Sequence, residues 1–172
     1  MNGLKWRQVV KKWVQMVKSG GFSSQVAQMT NQFMGEYNHT MDAKGRLIVP
    51  AKFREAGGDT FIVTKGLDKC LFVFTEEKWS TVVERVSHMS LTDKNARTFS
   101  RFFIGSAGEC EVDKQGRILI PGSLRTYANL EKEVTLVGVG SRVEIWNREA
   151  WENASSDEGI EDLAASLEEL RI

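Results

Sequence analysis

The chain has 172 residues, of which 41% are hydrophobic and 27% charged, and its 23 basic and 23 acidic side chains give a formal net charge of zero. This composition is typical of a globular protein and excludes a disordered or fibrous chain. No apolar run approaches the roughly 20 residues of a membrane span, and Cys70 and Cys110 lack metal-site spacing. We therefore expect a reduced cytoplasmic protein with no membrane insertion, metal or cofactor.

Charge is distributed unevenly along the chain. Residues 1–33 contain five Lys or Arg and no acid, whereas residues 151–172 contain seven acids and one Arg. Because the middle of the chain is almost neutral, any DNA-binding face must come from local clustering of basic side chains.

Residues 1–33 permit two interpretations. Apolar residues at helical intervals among lysines predict a basic amphipathic helix suited to a membrane surface or DNA.

Alternatively, translation starts at Met29 or Met34, and residues 1–33 are upstream DNA read as peptide. Trp6, Trp13 and the Met16–Val17 junction each require the bases TGG, and these boxes are separated by nearly whole turns of B-DNA, about 10.5 bp each. Further boxes are permitted by the codons of Val9-Val10 and Ser19-Gly20. Boxes at whole helical turns lie on one face of the duplex, so the extension is hypothesised to encode an operator, which the protein itself would bind if it is a DNA-binding regulator.

An internal repeat organises the next part of the chain. Asp42-Ala-Lys-Gly-Arg46-Leu-Ile-Val-Pro50 returns as Asp113-Lys-Gln-Gly-Arg117-Ile-Leu-Ile-Pro121, and Pro50 and Pro121 are the only prolines in the sequence. Apolar runs follow both copies at similar distances. We therefore predict a tandem duplication, with repeats at residues 34–80 and 105–151.

Each repeat is predicted to fold as strand, turn, strand, short helix, strand, turn, strand. Asp42 and Asp113 are expected to cap turns in which Gly45 and Gly116 take positive φ. Val-, Ile- and Leu-rich runs then predict buried strands. Pro50 and Pro121 end these strands and open short helices. The predicted helices are Ala51–Glu55 and Ser123–Tyr127.

Helices are also predicted between and after the repeats. Residues 81–104 are expected to connect the repeats, with Thr75 capping a helix that contains Trp79 and Thr92 capping a second one. The apolar residues of segment 152–172 also follow helical spacing with acids between them. The apolar residues at this spacing are Ile160, Leu163, Leu167 and Leu170.

These motifs resemble one known protein family. The stretch Met34-Gly-Glu-Tyr-Asn-His-Thr-Met-Asp-Ala-Lys-Gly-Arg-Leu-Ile-Val-Pro50 is similar to the opening of MraZ proteins. Arg101-Phe-Phe, Gly108-Glu-Cys-Glu-Val-Asp and Leu136-Val-Gly-Val139 resemble later landmarks of that family. The resemblance implies an α+β, mainly β fold: a tandem AbrB-like swapped-hairpin barrel of the double-psi type, with connecting helices and a C-terminal helix.

The resemblance also implies a function. Members bind DNA sequence-specifically as ring-shaped homo-oligomers at the nucleoid. They recognise short direct repeats in double-stranded DNA upstream of their own gene, and they repress the division and cell-wall gene cluster that this gene heads. The DNA-binding motif corresponds here to Lys44, Gly45 and Arg46, and in the second repeat to Arg117, with Lys114 displaced by one position and Gln115 replacing the lysine.

Physical arguments divide the roles of these residues. Arg46 at a turn tip is expected to have no packing partner and to contact guanine O6 and N7, while Lys44 contacts phosphate. Arg117 could instead pair with an acid of the other repeat. Asp42, Asp113, Gly116, Pro50 and Pro121 are expected to hold the turns.

The other polar residues suggest no catalytic chemistry. Arg54, Arg97 and Arg101 are expected to be solvated or to form ion pairs between subunits, and His39 and His88 lack catalytic partners. The sequence therefore predicts a protein that is not an enzyme. One alternative remains, an antitoxin-type oligomerisation module whose acidic C-terminal helix binds a protein.

Overall fold

The computed structural model describes residues 32–156, within which the chain forms eight strands and five helices. The strands are β1 (Phe33–Thr40), β2 (Arg46–Ile48), β3 (Thr60–Lys65), β4 (Leu71–Thr75), β5 (Gly108–Glu111), β6 (Arg117–Leu119), β7 (Glu133–Gly140) and β8 (Val143–Asn147). The helices are α1 (Ala51–Gly57), α2 (Glu76–Ser87), α3 (Lys94–Phe103), α4 (Gly122–Tyr127) and α5 (Arg148–Ala154). Of the predicted extension 1–33 and the predicted C-terminal helix 152–172, residues 1–31, with the encoded operator, and residues 157–172 lie outside the described residues. Phe33 is buried and begins β1. The helix boundary predicted at residue 152 was wrong, because α5 begins at Arg148 and ends at Ala154 with Ser155 as its C-cap.

The element order confirms the predicted duplication. Strand, turn, strand, short helix and two further strands occur twice, and each half then continues into a helix. The short helices begin at Ala51 and Gly122, each with a proline as N-cap. Both later helices have a side-chain cap, because Thr75 accepts from Lys78 N at 3.2 Å and Asn147 accepts from Ala150 N at 3.1 Å.

One predicted cap was wrong. Asp93, not Thr92, is the N-cap of α3, and its carboxylate accepts from Asn95 N at 2.8 Å. The Thr92 hydroxyl bonds to Ser90 instead, at 2.8 Å. A carboxylate at the N-cap is the better acceptor for the first amides of a helix.

The strands of the two repeats interleave in one six-stranded antiparallel sheet. Its order is β1-β7-β8-β4-β3-β5, so β1 of the first repeat pairs with β7 of the second, and β5 pairs with β3. A separate two-stranded sheet joins β2 to β6. Because every one of these cross-repeat pairings uses backbone hydrogen bonds from both halves, neither repeat has a complete sheet on its own.

Two apolar clusters lie on opposite faces of the large sheet. The inner cluster joins the sheet to β2, β6, α1 and α4, with Leu47, Phe53, Ile118 and Leu124 at most 1% exposed. The outer cluster contains Phe72, Phe74 and Trp146, covered in part by α2, α3 and α5. Cys70 and Cys110 are buried free thiols. Burial raises the pKa of Cys70 to about 12 and that of Cys110 to about 11.

Within the described range, no helix has the length and apolar character needed to cross a bilayer.

Candidate nucleic-acid interface

The two Asp-containing turns have the same hydrogen bonds. Asp42 Oδ1 accepts from Lys44 N at 2.9 Å and from Arg46 N at 3.0 Å, and Gly45 N donates to Asp42 O at 2.9 Å. Gly45 has φ of 84°. A carboxylate that accepts hydrogen bonds from two backbone N–H groups stabilises the turn. A residue with positive φ is needed to turn the backbone so that both N–H groups point at the carboxylate.

The second turn repeats this geometry although its sequence differs. Asp113 Oδ1 accepts from Gln115 N at 2.8 Å and from Arg117 N at 3.0 Å, and Gly116 has φ of 76°. Because the backbone of Gln115, not its side chain, makes the contact, replacing lysine by glutamine leaves the turn unchanged. The two turns carry one lysine each and differ in its position, Lys44 in the first and Lys114 in the second.

The arginine that ends each turn is held by the aspartate that begins it. Arg46 Nε donates to Asp42 Oδ2 at 2.7 Å. Arg117 donates to Asp113 Oδ2 from Nε at 2.9 Å and from Nη2 at 2.7 Å, and its Nη1 lies 3.9 Å from Asp42 Oδ2. The expectation that Arg46 has no packing partner was therefore wrong, whereas Arg117 does approach an acid of the other repeat.

These contacts shift the acidity of both aspartates. The side-chain hydrogen bond from Arg117, followed by its backbone amide, lowers the pKa of Asp113 to about 2. The pKa of Asp42 is lowered mainly by the hydrogen bond that its carboxylate accepts from the backbone N–H of Arg46. Both carboxylates stay ionised at neutral pH, so each arginine remains paired.

The β2–β6 ribbon has one turn at each end, because its antiparallel register pairs Arg46 with Leu119 and Arg117 with Ile48. Leu47 pairs with Ile118, and both side chains point into the core. Alternation along the strands then places Arg46, Ile48, Arg117 and Leu119 on the opposite face. Ile48 is 44% exposed and Leu119 is 56% exposed. The outward face of the ribbon therefore presents two arginines and two aliphatic side chains.

Two further arginines bracket the turns, each from the opposite repeat. Arg125 Nε donates to Ile120 O at 3.1 Å, and a Cβ built on Gly45 would lie 2.7 Å from its Cζ. Arg54 makes the equivalent contacts with Val49 O at 3.2 Å and with Gly116. Arg54 is exposed, which agrees with the expectation of a solvated side chain, and it has in addition this contact within its own chain. The sequence held a signal for both arginines, since each lies four residues after a repeated proline.

A cleft of about 720 Å³ lies beside the ribbon. Its walls include Arg46, Arg117 and Arg125, together with Lys132 and the acids Asp42 and Glu131. Lys44 and Lys114 are exposed in the two turns but do not line the cleft. The structure therefore gathers basic groups on a protein whose net charge is zero.

The remaining singled-out residues lie away from this surface or have structural partners. Arg97 Nη1 donates to Leu91 O at 2.8 Å, and His88 Nδ1 lies 2.7 Å from Glu84 O. Partial burial lowers the pKa of His39. Among residues 32–156, no three His, Cys, Asp or Glu side chains are grouped as a metal site.

Comparison with known proteins gives a consistent family match. The family model described as "MraZ protein, putative antitoxin-like" matches residues 32–102 and again residues 103–170. A relative from Thermoanaerobacter sp. (strain X514), named "Transcriptional regulator MraZ", is 53% identical over 141 residues, covering 81% of this chain and 99% of the relative.

Two further relatives carry the same name. The one from Desulforamulus reducens is 54% identical over 140 residues, covering 80% of this chain and 99% of the relative. The one from Carboxydothermus hydrogenoformans is 59% identical over 121 residues, covering 70% and 85% respectively.

Proposed function

Because the chain belongs to the MraZ family, we propose that it is a sequence-specific DNA-binding transcriptional regulator whose DNA contacts lie on the β2–β6 ribbon. One observation carries the proposal: both repeats place the arginine of their Asp-containing turn on the same outward face. A two-stranded antiparallel ribbon fits the major groove of B-DNA, which is about 12 Å wide.

The side chains of the ribbon match the chemistry of base edges. Arg46 and Arg117 are suited to guanine, which offers two acceptors in the major groove. Ile48 and Leu119 are suited to thymine methyl groups, which favour apolar contact. Lys44 and Lys114 at the flanks are suited to phosphates, which fix position without reading sequence. Gly45 is buried against Arg125, so its part in the proposal is to let the first turn form and not to contact the duplex itself.

The two arginines are not equivalent, and this favours Arg46 as the main base contact. Arg46 uses Nε for Asp42, and among the described residues its Nη1 and Nη2 have no hydrogen-bond partner. Arg117 gives both Nε and Nη2 to Asp113. A guanidinium anchored through Nε keeps the fork of terminal nitrogens for a bidentate base contact, whereas Arg117 must first release one bond.

We extend the proposal to fold and assembly. The β1–β7 and β3–β5 pairings across the repeats support an AbrB-like swapped-hairpin barrel. In a closed ring of such chains the ribbon would recur at regular intervals. Short direct repeats upstream of the gene would then be bound together, and linkage would raise apparent affinity well above that of one ribbon. Such a complex at the nucleoid would repress the gene itself and the division and cell-wall cluster downstream.

The test is a fluorescence-anisotropy titration of the full chain with its upstream duplex, including the bases that encode residues 1–33. A scrambled duplex and a salt series accompany it. We expect Arg46→Ala to reduce the preference for the upstream duplex by about 1–3 kcal/mol per contacted site. Arg85→Ala, which removes an exposed arginine of α2, is the matched control and should leave binding unchanged.

Other results would redirect the proposal. Specific binding to another upstream duplex, but not to the bases encoding residues 1–33, would retain the regulator and discard the encoded operator. If a folded oligomer binds all duplexes equally, or none, the regulator proposal fails and the protein-interaction module gains support.

A further inference from the structure

Helix α2 is amphipathic, but its apolar side is incompletely covered. Trp79, Val82, Val83 and Val86 follow helical spacing, yet none of the 12 residues of α2 is buried. Just beyond the helix, Met89 is 40% exposed and Leu91 is 82% exposed. Apolar side chains clustered in this way at a surface are typical of a contact with another polypeptide segment.

A groove of about 440 Å³ lies between the end of α2 and helix α3. Val86, Ala96 and Ile104 form its apolar part together with Met89 and Leu91. Arg97 and Arg101 also line the groove, and the ten residues of α3 include Lys94 but no acid. An occupant should therefore combine an apolar stripe with negative charge.

One segment of this chain has that combination. Residues 157–172 carry six acids and one arginine, and their apolar residues recur at intervals of three or four: Ile160, Leu163, Leu167 and Leu170. The stripe matches the apolar part of the groove, and the acids match Arg97 and Arg101. Helix-in-groove binding uses anchor residues at this spacing.

We propose that the α2–α3 groove binds residues 157–172 of a neighbouring copy of the chain, and this rests on the ring assembly proposed above. A contact between a groove on one copy and a tail on the next joins two different surfaces. Such a heterologous contact closes into a ring when the rotation between copies permits. The groove shares no residue with the cleft beside the β2–β6 ribbon, so assembly leaves the DNA-binding face accessible.

Two full-length variants test the contact, with oligomer mass measured by sedimentation velocity. Leu91→Asp introduces a charge into the groove at an exposed position, where the substitution should not affect folding. Leu163→Asp combined with Leu167→Asp interrupts the stripe of the tail. Each variant should associate at least about tenfold more weakly than the native chain. Leu67→Asp, at an exposed leucine in the turn between β3 and β4, is the matched control and should assemble normally.

Mixing the two variants distinguishes a neighbour's tail from the chain's own. The Leu91→Asp chain keeps an intact tail and the tail variant keeps an intact groove, so an equimolar mixture should form pairs through one intact junction. A mixture that remains monomeric would overturn the proposal, because an intact tail and an intact groove would then fail to join two chains. Native-sized oligomers from both separate variants would overturn it as well.

A charge reversal gives a second, independent readout. Arg101→Glu should weaken assembly, and adding Glu168→Lys and Glu169→Lys should restore at least part of it. No restoration would contradict the charge pairing on which the occupant was chosen.

Two outcomes separate the groove contact from the proposals above. If the native chain binds DNA in a manner that depends on Arg46, but none of these variants changes the oligomer mass, the groove contact alone is refuted. A monomeric native chain would refute both the groove contact and the ring.

Discussion

Arg125 covers Gly45: its guanidinium, from the second repeat, lies where a side chain of Gly45 in the first repeat would have to be. A Cβ at Gly45 would come within 2.7 Å of both Cζ and Nε of Arg125. Arg54 and Gly116 repeat the relationship with the halves exchanged. Each turn therefore favours glycine for two reasons, chiefly the positive φ and, to a smaller extent, the arginine of the opposite repeat.

Gly45→Ala should destabilise the protein through both effects. The left-handed backbone conformation costs about 1–2 kcal/mol, and displacing Arg125 from Ile120 O costs about 1 kcal/mol more. Urea unfolding would measure the sum. In an Arg125→Ala background the second part should disappear, so that the two substitutions are not additive.

The matched control for this cycle is Gly122→Ala. A Cβ there would lie 3.6 Å from Arg125 Nη2, which is ordinary contact, and the residue begins helix α4. We expect a neutral or slightly stabilising effect. Equal destabilisation by both glycine substitutions would contradict the role assigned to Arg125.

Asp42→Asn should affect DNA discrimination more than DNA affinity. The substitution removes the charge that holds Arg46 Nε, so Arg46 loses its fixed orientation, while one less negative group faces the phosphates. We therefore expect a smaller ratio of binding between upstream and scrambled duplexes, with equal or tighter binding to the scrambled one. Asp68→Asn, at an exposed turn residue, should change neither value. A preserved ratio for Asp42→Asn would show that the carboxylate does not orient Arg46.

The Asp113–Arg117 pair should contribute stability that depends on acid pH. The folded pKa of about 2 lies below the ordinary 3.8, so the contribution is fully present above about pH 4. It is lost as pH falls toward 2, because the folded carboxylate then takes up its proton. A carboxylate NMR titration should show the Asp113 pKa rise toward 3.8 in Arg117→Gln.

Asp42 provides the internal control in that titration. Its main contacts come from Arg46 and not from Arg117, so its pKa should stay below 3.8 in the variant. A shift of similar size at both aspartates would mean that the whole ribbon had rearranged.

Both cysteines should resist thiol reagents in the folded protein. Cys70 is 0% exposed and Cys110 is 5% exposed, and pKa values near 12 and 11 leave almost no thiolate at pH 8. An Ellman assay should therefore show slow labelling in native buffer and rapid labelling of two thiols in guanidinium chloride. Rapid labelling of the native chain would indicate that the interleaved sheet opens readily.

Local sequence determined the turns, the strands and some of the helix ends. Asp, Gly and Pro act within a few residues of their own position, through a capped turn, a positive φ or a missing amide, so Asp42, Gly45 and Pro50 could be interpreted without knowing the fold. The repeat then allowed the same interpretation of Asp113, Gly116 and Pro121. Thr92 was misassigned because two adjacent residues could both cap α3, and only the backbone path selects between them.

Tertiary structure alone decided which strands of the two halves pair with each other. The sequence shows two similar units, but a strand pattern carries no record of its partner. β1 lies at the sheet edge beside β7, where Phe33 joins the inner cluster while most of the strand stays exposed. The positions of Arg54 and Arg125 follow from this exchange, since each reaches a glycine some 60 to 80 residues away in sequence. Hydrogen bonds and close packing between distant residues depend on the path of the whole chain, and motif spacing does not encode that path.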